Sequence, residues 1–212
     1  MNRGPLRVRR HRGNEGYTEE ADALTRQYES VRFVDVHGPV LHLLPTVPSD
    51  VLDIGAGTGR DAAALAGMGH RVVAVEPTAA LRDRAALLHP SSHIEWIDDY
   101  LPHLPRLIRR GDRFDVVMLT AVWIHLDPPR RREAMPRVAS LLRPGGVLLL
   151  TLRHGPAPPD RRRLFETSAD ETIALAGVHG LSLALKVERQ PDFYGRPEVT
   201  WTSLGFVSEK SD

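Results

Sequence analysis

Short apolar runs alternate with segments that carry apolar residues at helical spacing through most of the chain. Residues 51–54, 70–76 and 94–97 are mostly apolar runs of the length expected for buried strands. Residues 61–66 and 81–88 lie between them and show the 3.6-residue period of helices. Strands that alternate with helices in this way predict an α/β fold built on a parallel sheet.

The same alternation continues towards the C-terminus. Residues 112–120 and 147–152 predict a fourth and a fifth strand, both nearly all apolar in their central part. Residues 128–142 between them predict a helix that Pro136 interrupts, because proline lacks the N–H that a helix interior needs.

Two further strands are predicted near the end of the chain. Alternating apolar positions mark residues 181–187 as a half-buried strand, and residues 199–207 supply another. The loop between them is too short for a helical crossover, so the two strands should pair antiparallel.

The first 16 residues differ from the rest of the chain. They carry five arginines, three glycines and one proline, with no acidic residue ahead of Glu15. Such a composition predicts a basic, flexible tail rather than packed structure, although it would also suit contact with nucleic acid. From residue 18 a helical pattern begins, and a second short apolar piece follows at residues 36–44.

Length and composition limit the classes of protein to consider. A chain of 212 residues with 42% hydrophobic and 26% charged residues suits one globular domain, and its net charge is +1. It has neither a long apolar span nor a secretory signal, so we expect a cytoplasmic protein with no membrane partner. Cysteine is absent, which excludes disulfides, thiolate metal sites and a cysteine nucleophile.

A glycine-rich stretch joins the strand at residues 51–54 to the helix at residues 61–66. Glycine tolerates positive φ and lets a ligand approach the backbone, and the helix start offers N–H groups without intrahelical partners. Residues 55–59 therefore predict a loop that binds a nucleotide-like ligand. The dinucleotide-binding pattern G-x-G-x-x-G would need a third glycine where Arg60 stands, which argues against a nicotinamide cofactor.

An acidic residue at the end of the next strand supports the prediction of a nucleotide-binding loop. Glu76 ends the strand at residues 70–76, where a carboxylate can accept hydrogen bonds from both hydroxyls of a ribose. The D-x-G-x-G-x-G pattern that begins at Asp53 resembles motif I of class I S-adenosylmethionine-dependent methyltransferases of the small-molecule type, and Glu76 stands where that family places its second acid. A doubly wound domain that binds another nucleotide is the alternative.

The resemblance extends over residues 50–207 and implies a fold. It implies a doubly wound seven-stranded sheet in the order 3-2-1-4-5-7-6, with the last strand antiparallel and helices on both faces. Residues 17–46 would form N-terminal cap helices over a Rossmann-like core at residues 50–207. Residues 17–212 would then be one methyltransferase domain behind the basic tail at residues 1–16.

The resemblance also implies S-adenosyl-L-methionine as cofactor and a set of residues that bind it. In this family an acidic residue at the end of the third strand contacts the adenine amino group. Asp98 and Asp99 both stand there, and we favour Asp98 slightly. The predicted cofactor-binding residues are Asp53, Gly55, Ala56, Gly57, Thr58, Gly59, Glu76, Pro77, Asp98, Asp99, Thr120 and Ala121.

The sulfonium of this cofactor already activates its methyl group, so the protein has to align a nucleophile and accept one proton. His125 follows the fourth strand and is the candidate general base, since neutral imidazole takes a proton near neutral pH. Many relatives of this type carry a histidine here without a settled chemical role, and that alternative stays open. The predicted substrate-binding residues are Tyr17, Tyr28, Trp123, Arg153 and His154, of which Arg153 would suit a carboxylate or phosphate.

Missing motifs narrow the function further. No N-P-P-Y or D-P-P-Y sequence follows the fourth strand, which disfavours amino methylation of adenine or glutamine. No Asp/Asn constellation of the catechol type is visible, so we expect no metal. The sequence therefore predicts methyl transfer to a small molecule. The alternatives are an RNA or protein methyltransferase, a cofactor-binding module without activity and, less favoured, an NAD-dependent oxidoreductase; the oligomeric state stays open.

Overall fold

The fold is built on one seven-stranded sheet. The computed structural model describes residues 17–18, 20–157 and 164–209, so the predicted basic tail lies outside the described residues. The strand order is β3-β2-β1-β4-β5-β7-β6, which confirms the predicted fold class. The strands are β1 Asp50–Ile54, β2 Arg71–Val75, β3 Ile94–Ile97, β4 Phe114–Leu119, β5 Leu142–His154, β6 Leu181–Pro191 and β7 Thr200–Ser208.

Helices connect the strands and cover the sheet. The α-helices are α1 Ala21–Tyr28, α2 Phe33–His37, α3 Arg60–Gly67, α4 Ala79–Leu88, α5 Pro105–Arg110, α6 Pro128–Ser140 and α7 Ala169–Val178. Two 3-10 segments, Gly38–Leu43 and Trp123–His125, complete the described helical structure. Among the described residues, no helix is long and apolar enough to cross a membrane.

The apolar strands have two buried faces because side chains alternate along each strand. In β1, Val51 packs with residues of α2 and α3 on one face, whereas Leu52 packs with residues of α5, α6 and α7 on the other. In β4, Val116 and Val117 divide in the same way. Two apolar layers therefore hold the parallel strands in place, which is why these strands lack a polar face.

The strand directions create a crevice at one end of the sheet. β1 pairs in parallel with both β2 and β4, so successive crossovers leave β1 towards opposite sides. Ligands bind at such a switch point, beside the carboxyl ends of the strands. β7 runs antiparallel to both β5 and β6, which confirms the predicted pairing of the last two strands.

Local details differ from the sequence-based expectations. α6 continues through Pro136, where an interruption was expected, because Asp127 caps its first turn and Ala134, Met135 and Val138 on one face are buried. β5 begins at Leu142 and includes the turn that was expected to precede it. α5 was not predicted. The division into tail, cap helices and core stays a prediction.

The end of the sheet opposite the crevice is closed by one arginine. Arg143 donates from Nη1 to Asp115 Oδ2 at 2.6 Å and from Nη2 to Asp50 Oδ2 at 2.7 Å. Asp50 also accepts from Arg71, and these partners lower the pKa of Asp50. The arginine thus joins the starts of β1, β4 and β5. Gly146 lies directly behind this contact, where a side chain has no room.

Gly146→Ala should destabilise the protein. A methyl group at Gly146 would lie 2.9 Å from the carbonyl oxygen of Arg143 and 3.1 Å from that of Asp115, and backbone atoms cannot move aside cheaply. We expect a loss of roughly 1–3 kcal/mol in the free energy of unfolding, measured by urea denaturation. Gly67→Ala is the control, since nothing lies near that position and alanine suits a helix better. Equal stability of the two variants would contradict the packing argument.

Candidate active site

A cavity of about 250 Å³ lies at the carboxyl ends of the parallel strands. The glycine loop, the residues after β2 and residues 120–122 after β4 line one half of it. The N-terminal segment, β5 and the connection between β6 and β7 line the other half. The cavity therefore lies at the switch point that the strand order creates.

The glycine loop takes the conformation that its glycines permit. Gly55, Gly57 and Gly59 have φ angles of 75°, 57° and 90°, values that favour glycine over residues with a Cβ. The N–H groups of Gly55 and Ala56 donate to the carbonyl oxygen of Val75 at 2.8 and 2.9 Å. The loop is thus folded back onto the end of β2, and Gly59 leads directly into α3.

Glu76 fixes the middle of this loop. Its Oε2 accepts from the N–H of Gly57 at 2.9 Å, and its Oε1 accepts from the N–H of Thr78 at 2.7 Å. The side chain is buried, and burial raises the pKa of its carboxyl despite these two bonds. Glu76 lines the cavity, as the sequence predicts, and it also organises the loop.

Asp53, unlike Glu76, has a buried carboxyl oxygen that the described protein does not satisfy. Its residue is 1% exposed and its Oδ2 has no hydrogen-bond partner among the described residues. Burial raises the pKa of this carboxyl, and the nearby charges of Asp61 and Glu76 raise it further. A buried carboxylate oxygen without a partner is costly, so the site fits a ligand that brings a positively charged donor to this point.

Asp61, at the second position of α3, is a site residue that the sequence analysis missed. It accepts from Arg60 Nε at 2.7 Å, from His37 Nε2 at 2.8 Å and from Thr120 Oγ1 at 2.9 Å. Burial alone would raise the pKa of Asp61, but His37 and Arg60 lower it below its ordinary value. This carboxylate joins the N-terminal segment, α3 and the end of β4 in one buried network. The signal available in the sequence was an acid two residues after the glycine loop.

The two aspartates after β3 have different surroundings. Asp99 is fully buried, lines the cavity and accepts from the N–H groups of Tyr100, Arg106 and Leu107, so it fixes the start of α5. Asp98 is partly exposed beside Arg82, at 3.6 Å, and does not line the cavity. The slight preference for Asp98 therefore has no support from the cavity lining.

The segment after β4 places His125 in the second half of the cavity. Its Nε2 is 2.9 Å from the hydroxyl of Tyr17, and the two rings meet edge to face with centroids 5.7 Å apart. Ala121, with a φ of 58°, turns the chain out of the strand, and its N–H donates to Thr151 Oγ1 at 2.8 Å. The two residues predicted as a base and a substrate contact are thus a hydrogen-bonded pair.

Other predicted residues divide between the cavity and the core. Tyr28 and Arg153 line the cavity. Trp123 does not line the cavity, because its side chain is fully buried in the hydrophobic core. His154 points elsewhere and its Nε2 bonds Thr202 Oγ1 at 2.9 Å. Of the predicted cofactor residues, Gly59 packs against Trp96 instead of lining the cavity.

The turn between β6 and β7 closes the second half of the cavity and was not predicted to do so. Asp192 organises this turn, accepting from both Nε and Nη2 of Arg196 at 2.9 and 2.7 Å and from Trp201 Nε1 at 3.0 Å. These bonds outweigh burial and lower the pKa of Asp192 to about 2. Tyr194 and Trp201 line the cavity as a result.

The N-terminal segment is tied to the glycine loop. Thr58 Oγ1 donates to Glu29 Oε1 at 2.6 Å, and a methyl group at Gly57 would touch the ring of Tyr28. His37 adds its bond to Asp61 from the next helix. The segment thus forms one wall of the cavity.

Comparisons with known proteins agree with this geometry. Residues 51–146, which include the glycine loop and the strands that hold it, match the family model described as a methyltransferase domain. This part of the chain is thus similar to a methyltransferase domain. An uncharacterized methyltransferase of Mycobacterium tuberculosis is 38% identical over 114 residues, which cover 50% of this chain and 40% of that protein. Glycine N-methyltransferase of Mus musculus is 29% identical over 143 residues, 58% of this chain and 49% of that protein.

The chain also resembles solved structures in fold. The 1,6-didemethyltoxoflavin-N1-methyltransferase of Burkholderia thailandensis, with 1,6-didemethyltoxoflavin and S-adenosylhomocysteine bound, has a TM-score of 0.66 at 19% identity, covering 99% of this chain and 94% of that chain. Magnesium protoporphyrin IX methyltransferase of Synechocystis PCC 6803 has a TM-score of 0.64 at 20% identity, covering 96% and 88%. The chain spans less than two thirds of the length of the curated relatives it matches.

Asp192→Asn should lower stability in a pH-dependent way. The folded pKa of about 2 lies below the ordinary value of 3.8, so the carboxylate stabilises the fold above about pH 4 and loses this contribution as the pH falls towards 2. We expect a loss of roughly 2 kcal/mol at pH 7 and a smaller loss at pH 3, measured by urea denaturation. Asp170→Asn, which changes an exposed aspartate, is the control. A loss that does not depend on pH would contradict the ionic role.

Proposed function

We propose that this protein transfers a methyl group from S-adenosyl-L-methionine to a small molecule. One observation carries the proposal: the partnerless carboxylate oxygen of Asp53 lies beside a glycine loop that Glu76 holds against β2. S-adenosylmethionine brings an ammonium and a sulfonium, whereas NAD brings no such cation to this position. The solved relatives that hold S-adenosylhomocysteine or S-adenosylmethionine with the same fold support the choice of ligand.

The chain's residues have distinct roles in holding the cofactor. Asp53 would accept from the ammonium of the methionine part, since its oxygen has no partner among the described residues. Glu76 would turn one of its oxygens to the ribose hydroxyls, and Asp98 or Asp99 would meet the adenine. Asp61 would keep Arg60 and His37 in place beside the methionine part.

The cofactor supplies an activated methyl group, and the chain aligns the acceptor and removes its proton. His125 is the proposed base, with Tyr17 donating to its Nε2 while the acceptor is absent. An acceptor hydroxyl or N–H that takes the place of the Tyr17 hydroxyl would then face the imidazole. Arg153 is the proposed partner of an acidic group on the acceptor.

The choice of a small acceptor rests on the closure of the cavity. The N-terminal segment and the turn between β6 and β7 both line the second half of the cavity, the acceptor half, and among the described residues they bound it in a way that suits a small molecule. The solved relatives that act on 1,6-didemethyltoxoflavin and on magnesium protoporphyrin IX support this class. A cytoplasmic location stays a prediction from the sequence.

Glu76→Ala should weaken cofactor binding. The variant loses the proposed ribose acceptor and the bond that holds Gly57, so we expect at least a 10-fold loss in affinity for S-adenosylhomocysteine by calorimetry. S-adenosylhomocysteine should also raise the melting temperature of the unchanged protein, while NAD should not. Glu95→Ala, which removes an exposed glutamate that pairs with Arg110, is the control. Unchanged affinity in Glu76→Ala would remove Glu76 from the site.

His125→Gln should lower turnover by about 10²-fold if His125 removes the acceptor's proton. Affinity for S-adenosylhomocysteine should barely change, because His125 lies in the acceptor half. Turnover is measured as S-adenosylhomocysteine release from an acceptor found in a compound screen. His93→Gln, on an exposed loop, is the control. Full turnover of His125→Gln at every pH would show that catalysis rests on alignment alone.

A further inference from the structure

The acceptor half of the cavity has a floor made by the last three strands. Arg153 of β5 pairs with Trp201 of β7, which in turn pairs with Gln190 of β6. Side chains at paired positions point to the same face of a sheet, and all three residues line the cavity. Gln190 Nε2 also donates to Ser203 Oγ at 2.8 Å, which fixes its amide beside the indole. The floor therefore contains one large aromatic ring in a fixed position.

The turn above this floor adds a second ring. Asp192, whose side chain is fully buried, accepts from the N–H of Tyr194 at 3.0 Å and from the indole N–H of Trp201 at 3.0 Å. One carboxylate thus fixes the indole of Trp201 and the backbone that carries the Tyr194 ring. The guanidinium carbon of Arg196 lies over the Tyr194 ring, 5.3 Å from its centroid, in a cation–π contact that helps to hold the ring.

Rings from the N-terminal segment meet this turn. The Tyr28 and Tyr194 rings have centroids 6.4 Å apart at an angle of 37°, so they form one continuous aromatic wall. Arg60 Nη1 also donates to the carbonyl oxygen of Tyr28 at 3.5 Å, which connects the wall to the start of α3. Phe193 is exposed at the rim of the same cavity. Aromatic side chains from three separate segments therefore converge on the acceptor half.

Such a lining selects by shape and by ring faces. Flat aromatic molecules gain stacking and edge-to-face contacts with fixed rings, whereas a saturated ring of equal size is thicker and lacks a π-face. The rings are held before any acceptor arrives, so little ordering cost opposes binding. We infer that the turn at residues 192–196, with Tyr194 at its centre, selects a planar aromatic acceptor that carries a hydroxyl or ring N–H.

This inference rests on the proposed function. The acceptor's oxygen or nitrogen forms a bond to the methyl carbon while the bond from that carbon to sulfur breaks, and the electron pair stays on sulfur. The acceptor's proton passes to His125. No oxidant or reductant is needed.

Charge-matched pairs of compounds test the inference. Each pair joins an aromatic probe with its saturated counterpart: 2-naphthol with decahydro-2-naphthol, 4-hydroxybenzoate with 4-hydroxycyclohexanecarboxylate, and 4-hydroxybenzamide with 4-hydroxycyclohexanecarboxamide. Calorimetry measures their binding to the full chain saturated with S-adenosylhomocysteine. We expect at least one aromatic probe to bind about 10-fold more tightly than its counterpart.

Variants then assign this preference to the turn. Tyr194→Leu keeps apolar bulk but removes the ring, so its ratio of aromatic to saturated affinity should fall towards 1. Tyr194→Phe keeps the ring and should keep the ratio, as should the control Leu183→Ala on the exposed part of β6. The ratio is measured within each protein, so a general loss of stability does not imitate the effect.

The outcomes separate this inference from the function it rests on. Failure of the unchanged protein to bind S-adenosylhomocysteine contradicts the proposed function, and the inference falls with it. Binding of S-adenosylhomocysteine without any aromatic preference overturns the inference alone. An aromatic preference that Tyr194→Leu retains in full also overturns it, because another surface would then select the ring.

Discussion

The fold of the glycine loop onto the end of β2 is the constraint on which the site depends. Two loop N–H groups donate to Val75, and Gly57 donates to Glu76, so the loop cannot move without breaking bonds in a buried place. This fixes the distance between β1 and β2 at their carboxyl ends. The cavity exists because the chain turns back at the end of β1 towards the end of β2. Asp53 and Glu76, at the ends of these two strands, line it.

The acidic side chains around this loop differ in how far the protein itself satisfies them. Glu76 and Asp61 have hydrogen-bond partners within the protein, whereas Asp53 keeps one buried oxygen without a partner among the described residues. A positively charged donor would offset the cost of burying that oxygen, and S-adenosylmethionine carries such a donor in its ammonium group. The proposed choice of this cofactor over a dinucleotide rests on this oxygen.

The acceptor half depends on contacts between segments that are far apart in the sequence. His125 meets Tyr17 across 108 positions, and Asp192 sets the position of Tyr194 and Trp201. Trp123, expected at this surface, is in the core because its indole packs below the edge where β4 ends. Helix α5 was missed because residues 105–110 are too short and too basic to show a helical period.

The sequence by itself determined the alternation of strands and helices, the glycine loop and the acid at the end of β2, because period, glycine spacing and the strand-end acid are local signals that one stretch of chain carries complete. The strand order followed only from the family resemblance that these signals carry. The sequence also indicated His125, from its place directly after the fourth strand. Only the tertiary structure decided which of these side chains lie together, through the Asp61 network and the turn held by Asp192. Such contacts join elements whose separation along the chain is long, and no pattern within a short stretch records which partner the fold will bring near.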